Sequence, residues 1–297
     1  MDYVEPKLPP EMERVIFEIA ALSRPVTIPK LMLVARRVCS WVEPLLYRVI
    51  CVSDSQPIDG FPHFTMDILE KALEAKQASF FQDAVRHVFV GFTDFCPPFF
   101  FRQIESFMTA CAGITTLCIA DRYLPSFHML NHLNVMPLQH LMVNLDAIFD
   151  GGLYFSSPAF HDVTHLYILG SLVVASLNIW GTYETTNTSA KDWEMGLTSI
   201  PHLTHFAFNR PRFRNIVYPA LHECPRLQCC ILLCTLGHGV DGTKWLPESR
   251  DIRFVVDDLP DAQADWLSGV VGGQDMWARA EAVISARRAE QMRAEKL

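Results

Sequence analysis

A short apolar phrase recurs along this chain, and its copies are spaced too evenly for chance. They read Val85-Arg-His-Val88-Phe-Val90, Ile114-Thr-Thr-Leu117-Cys-Ile119, Leu138-Gln-His-Leu141-Met-Val143 and Val163-Thr-His-Leu166-Tyr-Ile168. Two more follow, Leu203-Thr-His-Phe206-Ala-Phe208 and Leu227-Gln-Cys-Cys230-Ile-Leu232, and a weaker one, Ile252-Arg-Phe-Val255-Val-Asp257. First residues at 85, 114, 138, 163, 203, 227 and 252 are separated by 29, 24, 25, 40, 24 and 25. A period in the twenties belongs to chains that stack small units, none of which can bury its apolar face alone.

Each copy but the last, which ends on Asp257, is apolar at its first, fourth and sixth positions, the pattern of a strand that turns alternate side chains inward. The stretches between copies are long enough to return the chain by a helix. Between Pro97 and Cys111, for example, Phe100, Ile104, Phe107, Met108 and Cys111 fall at helical spacing. Such returns make successive strands parallel neighbours. Pro137, Pro201 and Pro225 stand just before three of the strands, where a helix must already have stopped. The 40-residue interval holds a polar insertion, roughly 181–196, expected to protrude as a mobile loop. Beyond Pro260 the pattern predicts helices over Asp261–Val270 and Asp275–Lys296, divided by Gly272-Gly273. Met276, Trp277, Ala280, Val283 and Ile284 are placed to cap the open end of the stack.

Residues 8 to 48 differ. Leu8-Pro9-Pro10-Glu11 opens a helix, with proline in the first turn and Glu11 and Glu13 at the positive end of the macrodipole. Val15, Ile16, Ile19, Ala20 and Leu22 form its apolar stripe. A second start follows at Ile28-Pro29, and a third element runs from Trp41 to Tyr47. Three short helices make too small a core to stand alone, so they must pack on the following domain or on a partner.

The repeats resemble an irregular leucine-rich repeat over about 84–258, without the asparagine that usually follows the last core leucine. Leu8-Pro9-x-Glu11, Ile16-Phe17, Leu31-x-Leu33-Val34-x-Arg36-Arg37-Val38 and Trp41-x-x-Pro44-Leu45-Leu46-Tyr47-Arg48 resemble an F-box-like domain of the kind found in fungal F-box proteins with degenerate repeats. Val38 stands where many F-boxes have tryptophan. The combined resemblance implies an α/β fold: a small all-α F-box-like domain over 1–52, a connecting helical segment over 53–83, a solenoid with parallel strands over 84–258, and a helical cap over 259–297. It further implies a substrate-recognition subunit of a cullin–RING ubiquitin ligase. Leu8, Pro9, Ile16, Leu31 and Val34 would then contact the Skp-type adaptor, while the repeats hold a protein cargo. The same five residues are also suited to closing the helices onto the first repeat.

With 50% hydrophobic and 20% charged residues the chain is globular rather than disordered. A net charge of -8 argues against a nucleic-acid partner, which would need a basic face. Val163 to Tyr183 carries no Asp, Glu, Lys or Arg, but its polar residues and its phrase predict a buried strand and connector rather than a membrane span. Acidic residues among the first twenty exclude a secretory signal there, and nine cysteines then point to reduced thiols in an intracellular setting.

No G-x-S-x-G, H-E-x-x-H or Walker loop occurs, so neither enzyme nor cofactor is expected. His87, His140, His165 and His205 share the third phrase position, and His140 and His165 should form a short ladder on the sheet's open face. A straight ladder diverges and is a poor metal site. The fifth position, Phe89, Cys118, Met142, Tyr167, Ala207 and Ile231, is either covered by terminal helices or a binding patch. If open, Phe89, Met142 and Tyr167, with His140 and His165, are the candidates for cargo contact. A small-molecule receptor or enzyme on that face would instead need His140, His165 and Tyr167 around an enclosed cavity. His222, Cys224, Cys229, Cys230, Cys234 and His238 lack metal-ligand spacing, and Cys224 and Cys230 take core slots of the repeat. Asp257-Asp258 reads as a turn marker, and Arg287-Arg288 as a solvated helix face.

Overall fold

Eight strands pair side by side, all parallel and in chain order, because each is followed by a return segment that brings the chain back to start the next. The computed structural model describes residues 8–53, 59–92, 98–120, 129–144, 155–169, 175–177, 183–185, 196–209, 220–234, 251–258 and 261–296. The strands are β1 (Val49–Ser53), β2 (His87–Gly91), β3 (Thr116–Ile119), β4 (His140–Asn144), β5 (His165–Leu169), β8 (His205–Phe208), β9 (Cys229–Cys234) and β10 (Phe254–Asp258). Between β5 and β8, β6 (Ala175–Leu177) and β7 (Tyr183–Thr185) pair antiparallel as a separate two-stranded sheet. Thus three residues of the expected 181–196 loop are strand, and most of the remainder lies outside the described residues.

Register carries the repeat into space. Ile50, Val88, Leu117, Leu141, Leu166, Phe206, Cys230 and Phe254 lie level across the sheet. They face a continuous core with Ile104, Phe107 and Met108 of the return helix α6 (Pro98–Ala110) and with Leu69 of α4 (Met66–Ala75) and Phe81 of α5 (Ala78–Ala84). The first phrase positions Val85, Ile114, Leu138, Val163, Leu203 and Leu227 are buried in the same core.

Two boundaries differ from expectation. The sheet begins at Val49, inside the 1–52 segment assigned to the helical head, and β1 pairs along its full length with β2. In this register Tyr47, Ile50 and Val52 hold the phrase's first, fourth and sixth positions. The last copy is displaced by one residue, since Phe254 rather than Val255 is level with Cys230. A one-residue slip exchanges the faces of a strand. Accordingly Phe254 is in the main core and Val255 on the opposite side.

The head consists of α1 (Pro10–Ser23), α2 (Ile28–Met32) and α3 (Arg36–Leu46), closed around Ala21, Ile28, Val38 and Val42. It is continuous with the sheet, because α3 leads directly into β1. Tyr47 at that junction packs on Phe64, Phe80 and Phe81, with ring centroids 5.5–5.8 Å apart. Lys76 reaches Glu43 of α3 at 2.5 Å and tightens the same joint.

The C-terminal helices, α8 (Ala262–Val270) and α9 (Met276–Ala294), do not simply cap the end of the stack. Each starts from an aspartate that caps its first turn, Asp261 accepting from the Ala264 N–H and Asp275 from the Ala278 N–H. The corner between them uses Gly272 at φ +77°, a backbone state costly for residues with a Cβ. Trp266, Leu267, Met276, Trp277, Ala280 and Ile284 pack against the second face of the sheet, over Phe89, Cys118, Met142, Tyr167, Ala207 and Ile231. Val283, expected in the cap, is exposed.

Candidate functional site

Two regions of the fold carry side chains beyond those needed for packing: the outer face of the head, and the space between the sheet and the α8–α9 corner.

On the head, α1 is apolar on two sides. Phe17 and Ala21 face α3, where Arg37 clasps Glu13 through two hydrogen bonds of 3.0 and 2.7 Å. Met12, Val15, Ile16, Ile19 and Leu22 point outward, with Met12, Ile16 and Ile19, and likewise Val15, Ile19 and Leu22, three or four residues apart on one face. Ile16 and Ile19 are 49% and 59% exposed, so the apolar stripe of this helix faces away from the rest of the head. The α2–α3 junction extends the apolar surface, with Leu33 86% and Val34 59% exposed. Of the predicted adaptor contacts, Leu8, Pro9, Ile16 and Val34 are exposed, while Leu31 is half-buried against the head's small core. Pro9 also starts α1, its carbonyl accepting from Met12 N–H and Glu13 N–H at 3.0 Å each. Isolated exposed apolar residues are ordinary; a contiguous row of them on one small element is not.

The predicted cargo residues lie elsewhere. Phe89, Met142 and Tyr167 are buried beneath α8 and α9, and Phe89 packs its ring 5.7 Å from that of Trp266. With the helices in place this row is an inner core and offers no surface to a protein, so the condition on which cargo contact depended is not met. His140 and His165 lie in the same layer.

Parallel register stacks the histidines. His140 and His165 are 4.0 Å apart between ring centroids, and His165 and His205 are 4.1 Å apart. Thr116 intervenes between His140 and His87, which is therefore set apart from the stack. Trp277 of α9 meets His165 and His205 edge-on, at 5.2 and 5.7 Å. Burial is the first cause that holds each of these rings below the ordinary imidazole range. His165 is pushed down to about 2, first by burial and then by His140 and His205. His87 is pushed down to about 4 by burial, with Arg48, His140 and Arg86 adding to it. His140 is lowered by burial and by His205. His205 is lowered by burial against the opposing pull of Glu281. Its Nε2 lies 3.0 Å from Glu281 Oε1 and its Nδ1 2.8 Å from Thr204 Oγ1. With its proton on Nε2 a neutral ring donates to Glu281, and Nδ1 then shares the single Thr204 hydroxyl proton with the Thr164 carbonyl, 3.1 Å from the same oxygen.

Beside the ladder, a cavity of about 250 Å³ lies at the starts of β2 to β5 under the α8–α9 corner. His87, His140, His165, Met142 and Tyr167 line it from the sheet, and Trp266, Trp277, Val270 and Asp275 from the helices. Cavities of this kind, apolar with a few polar groups, are the usual form of small-molecule sites. Two buried side-chain atoms among the described residues have no hydrogen-bond partner, His87 Nδ1 and Trp266 Nε1. Both residues line this cavity. The carboxylates around it are engaged: Asp265 accepts from Met276 N–H at 3.0 Å and from Arg279 at 2.7 Å, and Asp275 caps α9.

Among the described residues no three His, Cys, Asp or Glu side chains converge as metal ligands do. Cys224 and Cys230 sit in the main core and Cys229 in the second, with thiols raised by burial and so unreactive. His238 lies outside the described residues. Asp257 does more than mark a turn, since Arg279 donates to it at 3.0 Å. Arg287 is half-buried and donates to the carbonyls of Ile252 and Phe254 at 3.3 and 2.6 Å, tying α9 to the last strand. No described helix is long and apolar enough to cross a membrane. No family model, curated protein or solved structure matches the chain.

Proposed function

We propose that this chain is a non-enzymatic interaction subunit whose F-box-like head docks onto the Skp-type adaptor of a cullin–RING ubiquitin ligase. The observation that carries this reading is the outward apolar row of α1, Met12, Val15, Ile16, Ile19 and Leu22, continued by Leu33 and Val34. Apolar anchors in the centre of an interface supply most of its energy, and a charged rim excludes water around them. Glu11, Glu13, Arg14, Glu18 and Arg37 provide such a rim. The head is braced on β1 and α5 through Tyr47 and the Lys76–Glu43 pair, so a docked adaptor would hold the repeat body in a defined direction. A cargo held by that body gains effective concentration beside the ligase, and tethering takes the place of chemistry. Since Phe89, Met142 and Tyr167 are buried, cargo recognition falls to other faces of the body.

The test is calorimetric titration of purified Skp-type adaptor into the full chain. The wild-type chain binds, and Ile16→Asp, which places a charge in the middle of the row, abolishes binding while leaving the circular dichroism spectrum unchanged. A folded wild-type chain that fails to bind the adaptor contradicts the proposal.

A further inference from the structure

The cavity under the α8–α9 corner has walls that specify a ligand. Its sheet side presents His140 and His165, planar rings already stacked on each other, next to the phenol of Tyr167. Its helix side presents the indoles of Trp266 and Trp277. Such surfaces favour flat aromatic groups, which stack or pack edge-on against them. The volume of about 250 Å³ exceeds the roughly 150 Å³ that suffices to bind benzene in an engineered apolar cavity. There is room for about two fused rings.

The polar groups narrow the choice. Buried polar atoms in folded proteins nearly always have partners, and an exception within a residue that lines a cavity is a candidate for completion by a bound molecule. Trp266 Nε1 is a donor only and asks for an acceptor; His87 Nδ1 can serve as either, according to tautomer. Among the described residues no free cation faces the cavity: the imidazoles are neutral, and the two carboxylates of the wall are already engaged, Asp275 by the N–H groups of its helix and Asp265 by Met276 N–H and Arg279. An anionic ligand would lose its hydration and meet two carboxylates, and a cation would have to compete with Arg279 and the helix N–H groups for them.

We propose that this cavity is a binding site for a small, uncharged, flat heteroaromatic molecule of about two fused rings, with an acceptor for Trp266 Nε1 and a polar partner for His87 Nδ1. The site is independent of adaptor docking, since none of its residues belongs to the head. It gives the repeat body a small-molecule input: a ligand there braces α8 and α9 against the sheet and stabilises the layer that holds them.

Saturation-transfer NMR and thermal unfolding of the full chain with quinolin-2(1H)-one test this. Naphthalene, which has the shape without the polar edge, and quinoline-2-carboxylate, which adds a charge, are the controls. The quinolinone is expected to show transfer and to raise Tm with concentration, and each control to bind at least about five-fold more weakly. Trp266→Phe keeps the ring and removes the orphan N–H. Without ligand its Tm should equal or exceed that of the wild type, and its affinity for the quinolinone should fall about five- to ten-fold. His87→Leu should act in the same direction and serves if Trp266→Phe does not fold. Absence of any transfer or Tm shift in folded wild-type protein overturns the proposal. So does equal binding by both folded variants, or by naphthalene.

Discussion

The rings of His165 and His205 lie 4.1 Å apart with their planes only 7° from parallel. Charging both imidazoles in that arrangement is disfavoured, and Trp277 packs edge-on against both of them. The ladder is therefore a layer of neutral histidine whose protonation opposes folding.

A pH dependence of known sign results. These rings titrate near 6.5 in the unfolded chain, whereas in the folded chain His87 is held down to about 4 and His165 to about 2. As pH falls below 6.5 the unfolded state takes up protons that the folded state refuses, so stability declines towards pH 4 through His87 and further through His165. Above 6.5 these groups cost nothing. Urea midpoints of wild type and His165→Phe, measured from pH 8 to 5, should diverge below 6.5. The variant should show the flatter curve, by at most about 1.4 kcal/mol per pH unit. Parallel curves would show that His165 is not shielded.

Arg279 joins α9 to both β10 and α8, donating to Asp257 at 3.0 Å and to Asp265 at 2.7 Å. Asp265 is nearly buried, and removal of the guanidinium leaves its charge without a counter-ion. Arg279→Ala should cost about 1.5–3 kcal/mol in denaturant unfolding. Amide exchange should rise over 261–296 more than over the strands. Arg279→Lys keeps the charge but cannot span both carboxylates, and should fall between the two.

The two faces of one strand should respond differently to truncation. Leu141 lies in the main core, and Leu141→Ala should cost about 2–5 kcal/mol. Met142, its neighbour, borders the cavity, where the lining already lacks contacts on one side. Met142→Ala should fall at the low end of that range, near about 2 kcal/mol. Equal and large losses at both positions would mean that the second face is packed without a gap.

Gly113 occupies the turn before β3, where a Cβ would run into the carbonyl oxygen of Gln82 and crowd Arg86 Nη1. Arg86 staples this turn, donating to Gln82 O at 2.7 Å, Val85 O at 2.9 Å and Gly113 O at 3.3 Å. The obstacle is backbone and cannot swing aside, so Gly113→Ala should lower the urea midpoint by more than Arg86→Ala does. The reverse order would contradict the close approach.

The stacked sheet was legible in the sequence because six copies of the phrase keep their apolar residues at the same positions, and strand pairing preserves that alignment. β1 was hidden because Tyr47 belongs at once to the end of the helical head and to the first phrase position. The register of β10 was misread because Phe254, Val255 and Val256 are all apolar, which leaves alternation ambiguous, while Ile252 supplied a false start. The stacking of His140 on His165 followed from a shared phrase position, and His205 extends it because β8 pairs directly with β5 across the 40-residue interval. The cavity did not, since it joins strands to Trp266 and Trp277, far away in the chain, and no local pattern records where a terminal helix settles. The outward aspect of α1 was equally out of reach: both of its sides are apolar, and composition alone does not say which one meets α3.

Hydrogen exchange of the full chain with and without the Skp-type adaptor tests the docking role of the head most directly. New protection should appear over residues 10–34, with none over the strands at 138–169 or the helices at 261–296. Protection that appears in those strands or helices while α1 continues to exchange as in the free chain would contradict it.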